Sequence, residues 1–165
     1  MQRASITIVI LCGLWLVLIV AAPFLAALGH PAGNVSSRLY AFFSQICHQE
    51  ESRSLHLFGR KLAVCARCTA IYSCFFIGIL IHPLVRSLRR LRPPVQWAVA
   101  LVPILVDVCC DVTGIHASTM VTRIVTGSHF GIVAGVMLMP AAIEGLSDLF
   151  HHFGWDEGLR HELKT

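Results

Sequence analysis

The sequence predicts an all-α polytopic membrane protein, a bundle of four transmembrane helices with a short interfacial helix ahead of a cysteine-rich segment. Three observations carry that expectation. The 165 residues are 56% hydrophobic and only 13% charged, against about 25% charged in ordinary soluble domains. Four apolar runs each approach the roughly 20 residues needed to cross a hydrocarbon core. One nine-residue stretch, Arg86 to Pro94, collects four arginines between two of those runs, which is an orientation signal for membrane insertion. The net charge of +4 is small, and no basic and aromatic interleaving is present, so a nucleic-acid partner is not expected. The whole chain, 1–165, reads as one membrane domain whose expected partner is the lipid bilayer, with a polar tail over 144–165. A second copy of the chain or another membrane protein remains open as a further partner.

The first helix is expected over about 6–28. A cleaved signal peptide is the competing reading, but its apolar region is normally about 7–15 residues and this run is 23 residues long. Pro23 sits near its far end, and Cys12 within it reads as a small apolar packing residue. His30 to Asn34 (HPAGN) is turn chemistry. Ser36 or Ser37 then caps a short interfacial helix through Arg38 to Ile46, which delivers Cys47 and His48 to the membrane surface. Residues 49 to 62 are a polar excursion.

The second span is expected over about 63–85, with Cys65, Arg67 and Cys68 in its first turns. A CxxC there lies near unpaired backbone N–H groups and the positive end of the helix dipole, both of which favour thiolate. Cys74, deeper in the apolar run, reads as packing. The third span, about 95–112, carries Asp107 and Asp111, four apart and therefore on one face. The fourth, about 121–143, begins with Arg123 and His129 and repeats glycine at Gly127, Gly131 and Gly135. That spacing allows close approach of another helix backbone. A short amphipathic helix with His151 and His152 is expected in the tail.

The arginine loop predicts cell-membrane topology with both termini cytoplasmic. Arg3, Arg160 and Lys164 agree with that orientation, whereas Arg38, Arg53, Arg60 and Lys61 oppose it. Whichever way the chain faces, Cys65 and Cys68 start one span on the side where Asp107 and Asp111 end another and Arg123 and His129 start a third. The polar layer of Gln49, Arg53, Arg67, Asp107, Asp111, Arg123 and His129 therefore gathers at one membrane face. Ionisable groups at membrane depth are costly, so such a layer is a candidate site. The structural alternative is that an aspartate pairs with Arg123 and pins two helices.

The residues Cys47-His48-Gln49, Arg53-Ser54, Gly59, the run from Cys65 to Tyr72 (CARCTAIY), Asp107, and Arg123 with Thr126-Gly127 and Gly131 form a combined pattern. In that pattern the chain resembles, over about residues 40 to 137, the prokaryotic predicted membrane proteins of domain of unknown function 2085. Ala70 departs from it, standing where the family typically has glycine. The resemblance implies a membrane protein with a shared polar layer, and it brings no established activity.

Chemistry follows from the residues themselves. Cys47, His48, Cys65 and Cys68 supply thiolate and imidazole, which suit zinc or iron. Adjacent Cys47 and His48 do not both ligate easily, and three ligands with an open position would be a catalytic arrangement, four a structural one. Thiol–disulfide exchange is the second reading, with Cys65 and Cys68 as the active pair, Cys47 as relay and a quinone as electron acceptor. The layout is similar to that of the disulfide-generating quinone reductases. Spacing alone does not separate it from metal binding. Recognition of an anionic lipid or polyprenyl phosphate by Arg53, Arg67 and Arg123 is the third. A purely structural or partner-binding membrane subunit is the fourth. No catalytic residue is assigned, and whether the chain turns over a substrate is left open.

Overall fold

The structure, a computed structural model, describes residues 2–29, 31–85 and 93–152. His30, most of the arginine loop and the tail beyond His152 lie outside them, as do the orientation signals of Arg86 to Arg92, Arg160 and Lys164. Among the described residues five helices follow in order: α1 (Gln2–Leu28), α2 (Ala32–Ser44), α3 (Ala66–Ile81), α4 (Pro93–Val112) and α5 (Met120–His152). Between α2 and α3 lie a single 3-10 turn, Glu51–Arg53, and a small hairpin of β1 (His56–Leu57) and β2 (Arg60–Lys61). The hairpin pairs His56 with Lys61 and Leu57 with Arg60 in antiparallel register. Its two turn residues, Phe58 and Gly59, both have positive φ, the backbone a tight hairpin of this hand requires.

Among the described residues three helices, α1, α4 and α5, are long and apolar enough to cross a membrane. The expected second span is shorter: α3 has 16 residues. Its start is displaced because Leu62, Ala63 and Val64 are buried in the core outside any helix, leaving Cys65 as the N-cap residue with β-region backbone. Its end is set by a turn at residues 82–84 containing Pro83, which has no backbone N–H with which to continue the helix.

Two further expectations are corrected. The interfacial helix begins at Ala32, so residues 32–34 open it rather than form a turn before it, and neither Ser36 nor Ser37 caps it. Ser37 donates back to the Gly33 carbonyl within the helix at 2.9 Å, and buried Ser36 donates across to the Ala22 carbonyl of α1 at 2.7 Å. Helix α5 also runs past Ile143 to His152, taking in the first part of the expected polar tail. Falling hydropathy marks where a helix leaves the bilayer, and nothing between Glu144 and His152 stops it forming backbone hydrogen bonds.

The core has two parts. One lies where α1, α2 and the entry to α3 meet, around Ile19, Ala22, Phe43, Cys47 and residues 62–64. Trp15 of α1 stacks edge-on against Phe43 and Tyr72, with ring centroids 5.3 and 5.8 Å apart. The other is the α3–α5 seam. A Cβ at Gly127 would lie 2.7 Å from the Arg67 carbonyl oxygen, one at Gly131 would strike the Ile71 carbonyl, and one at Gly135 the Phe75 carbonyl. Steps of four on α5 thus meet steps of four on α3, and the missing side chains let the backbones touch. Helix α4 packs on α5 and leaves Val102, Leu105 and Val106 exposed, as befits a helix facing lipid.

Candidate metal centre

Cys47 follows the last turn of α2, where its N–H donates to the Phe43 carbonyl at 3.0 Å. The chain then turns sharply at Gln49, a non-glycine residue with φ of 51°. That backbone is uncommon outside glycine and needs support from its surroundings. The support is the Gln49 side chain, whose amide donates to the carbonyls of Tyr40 and Ala63, both at 2.8 Å. Lys61 Nζ donates to the Gln49 carbonyl at 3.0 Å, and the Tyr40 hydroxyl to the Lys61 carbonyl. Gln49 therefore ties the last turns of α2 to the segment leading into α3, and in doing so holds Cys47 against the α3 N-terminus.

Cys65 and Cys68, three apart at the start of α3, share one helix face. The Sγ atoms of Cys47, Cys65 and Cys68 all lie within 4.8 Å of one another. The Cys65 N–H donates to Cys47 Sγ at 3.1 Å. Hydrogen bonds from the Cys65 thiol, then from Cys68, hold the Cys47 thiol far below the usual thiol range, against the opposing effect of its burial. Tetrahedral zinc with Zn–S bonds of about 2.3 Å sets its sulfurs roughly 3.8 Å apart. Closing the triad onto an ion therefore needs only a small contraction. His48 stands apart: it is exposed and contributes no ring nitrogen to the cluster.

The ionic layer sits beside the thiols. Arg67, one residue before Cys68, pairs with Asp107, and Arg123 pairs with Asp111 at 2.9 Å. Arg53 pairs with Glu50 at 2.9 Å and approaches Asp111 at 3.9 Å. Arg123 is only 5% exposed, so its pairing with Asp111 keeps a charge from being stranded. Ser118, in the α4–α5 loop, joins the Arg67–Asp107 and Arg123–Asp111 pairs. Its hydroxyl donates to Asp107 at 3.0 Å and accepts from Arg67 at 3.2 Å, its N–H donates to Asp111 at 2.9 Å, and its carbonyl accepts from Arg123 Nε at 3.2 Å. Thr122 lies 3.1 Å from the same hydroxyl.

A cavity of about 360 Å³ opens onto the triad, lined by the three thiols together with His48, Gln49, Glu50, Arg53, Arg67 and Arg123. Asp107 and Asp111 form its ionic backing through the arginines. His129 does not join this layer; its Nε2 bonds to the Val99 carbonyl on α4 at 2.8 Å. Ser118, Thr122 and Tyr40 are site-supporting residues that sequence reasoning missed. The only available signal for Ser118 was a hydroxyl in a short loop between two charged helix ends.

Residues 47–139 match the family described as predicted membrane proteins of domain of unknown function 2085. That span starts on the first thiol and takes in the other two, both aspartates, Arg123 and the glycine stripe. An uncharacterised protein of Methanocaldococcus jannaschii is 36% identical over 128 residues, covering 74% of this chain and 82% of that protein. No solved structure matches the chain.

Proposed function

This chain belongs to the predicted membrane proteins of domain of unknown function 2085, and from that premise we propose that it is a multi-pass cell-membrane protein holding a zinc or iron ion on Cys47, Cys65 and Cys68 at one membrane face. The observation that carries the proposal is the meeting of three sulfurs from two separate segments within 4.8 Å. Soft thiolates in that number suit zinc or iron, and the ion's charge relieves the repulsion that would otherwise oppose ionising all three.

In this reading α3 is the fourth span. At 1.5 Å per residue its 16 residues reach roughly 24 Å, short of a hydrocarbon core of about 30 Å. The apolar residues 62–64 before it and the turn after it make up the difference. The arginine loop after α3 faces the cytoplasm, both termini lie there, and the thiols face the other side. Reporter fusions at Gly59 and Arg90 are expected to report opposite sides; a shared side would remove this topology.

Disulfide exchange with a quinone acceptor is the second reading, favoured by the hydrogen bond from the Cys65 N–H that stabilises a Cys47 thiolate. Metal content separates the two, since a thiol pair cycling through a disulfide carries no resident ion. Binding of an anionic lipid or polyprenyl phosphate draws less support. Arg53, Arg67 and Arg123 already have carboxylate partners in Glu50, Asp107 and Asp111.

A further inference from the structure

The proposed centre has three protein sulfurs, and among the described residues no fourth histidine, cysteine or carboxylate ligand atom joins them within 4.8 Å. What adjoins them instead is space, a cavity of about 360 Å³. A water's share of liquid volume is about 30 Å³, so the cavity has room for an organic ligand. Resting on the metal reading above, we propose that the fourth coordination position is left open for an exogenous small-molecule thiol, bound as its thiolate, so that the centre exchanges ligands rather than serving as a closed structural site.

Three features select that ligand chemistry. Three thiolates on zinc or ferrous iron carry a net charge of −1, and such an electron-rich ion prefers a soft fourth donor to a hard oxygen one. The neighbouring arginines are matched one for one by Glu50, Asp107 and Asp111, so they leave no spare positive field for phosphate. Finally, Arg67 Nε is buried with no hydrogen-bond partner among the described residues. An unsatisfied buried donor is costly, and an acceptor on the incoming ligand can relieve it. Binding forms one metal–sulfur bond and breaks one S–H and one metal–water bond, the proton leaving to solvent through the open side of the cavity. No oxidation is involved.

The test uses the full chain in detergent micelles, loaded with cobalt(II), whose d–d absorption reports its ligand set. Titration with 2-mercaptoethanol is expected to shift those bands saturably and strengthen sulfur-to-cobalt charge transfer while the cobalt stays bound. Inorganic phosphate at the same concentrations is expected to leave the spectrum unmoved. The spectrum of His48→Ala before any thiol is added is expected to match the parent. Bands that ignore thiol while cobalt remains bound would overturn the open position, as would a response to phosphate alone. A His48→Ala spectrum that differs at the outset would assign the position to His48 and overturn it too. Failure to bind cobalt at all would remove the metal reading itself, and this inference with it.

Discussion

His129 Nε2 donates to the Val99 carbonyl oxygen at 2.8 Å, and Val99 is the residue whose helical donor is missing. In an α-helix that carbonyl accepts from the N–H four residues on. In α4 that residue is Pro103, which has no N–H to give. A histidine on α5 thus completes the hydrogen bonding of α4 inside an apolar layer, where an unsatisfied carbonyl is costly. This relationship takes His129 out of the candidate site and makes it a bond between two helices.

The relationship predicts non-additivity. His129→Ala is expected to lower stability in detergent by about 1 kcal/mol, the usual size of one intramembrane hydrogen bond. Pro103→Ala restores the local donor, so His129→Ala in that background should cost close to nothing. A thermal double-mutant cycle reads the difference; equal costs in both backgrounds would mean that the carbonyl has no need of the imidazole.

The glycine seam predicts a contrast between two alanines. Gly131→Ala places a Cβ against the Ile71 carbonyl, which backbone cannot yield cheaply, and should destabilise the protein by about 2 kcal/mol or more. Gly145→Ala meets nothing within 4 Å on the same helix. It should be neutral or stabilising by up to about 1 kcal/mol, from helix propensity. Unfolding of the two variants in parallel gives the answer, and equal losses would mean that the seam is not in contact.

The ionic layer predicts rescue by removing charge altogether. Asp107→Asn strands the largely buried Arg67 guanidinium and should cost about 3 kcal/mol or more. Arg67→Met with Asp107→Leu removes both charges and should recover much of that loss. A double variant no more stable than Asp107→Asn would contradict the pairing.

An acid transition is expected in the hairpin. Hydrogen bonds from His56 and then Lys61 hold the Glu51 carboxyl below its ordinary value of 4.5. A depressed carboxyl contributes stability that is present above its unfolded value and lost as pH falls through the folded one. The protection of the Leu62 amide, which donates to the Leu55 carbonyl at 2.7 Å, should therefore fall below about pH 4.5 relative to a free amide at the same pH. In Glu51→Gln that acid loss of protection should disappear.

Particular residues show what the sequence could and could not reveal. Gly127, Gly131 and Gly135 were legible because steric need repeats with the helix period, and Cys65 and Cys68 because two thiols three apart share a face. The meeting of Cys47 with them was suggested by chemistry, but the means was hidden: Gln49 takes a backbone no sequence rule assigns to glutamine. The start of α2 was misplaced because serines are good caps and also good donors to carbonyls inside and across helices, and only packing chooses. His129 was misplaced because its partner, a carbonyl orphaned by Pro103, lies 30 residues away. Ser118 carried no more than a hydroxyl in a short loop.

If Cys47, Cys65 and Cys68 form one metal centre, the ion should be found in the metal content of the purified chain. Protein purified without chelator should carry about one zinc or iron per chain. Cys47→Ser, Cys65→Ser and Cys68→Ser should each lose it, because a hydroxyl is a poor replacement for thiolate. Cys12→Ser and Cys74→Ser, outside the cluster, should retain it in full. A well-folded, metal-free preparation with Cys65 and Cys68 oxidised to a disulfide as isolated would contradict the claim and leave thiol–disulfide exchange in its place.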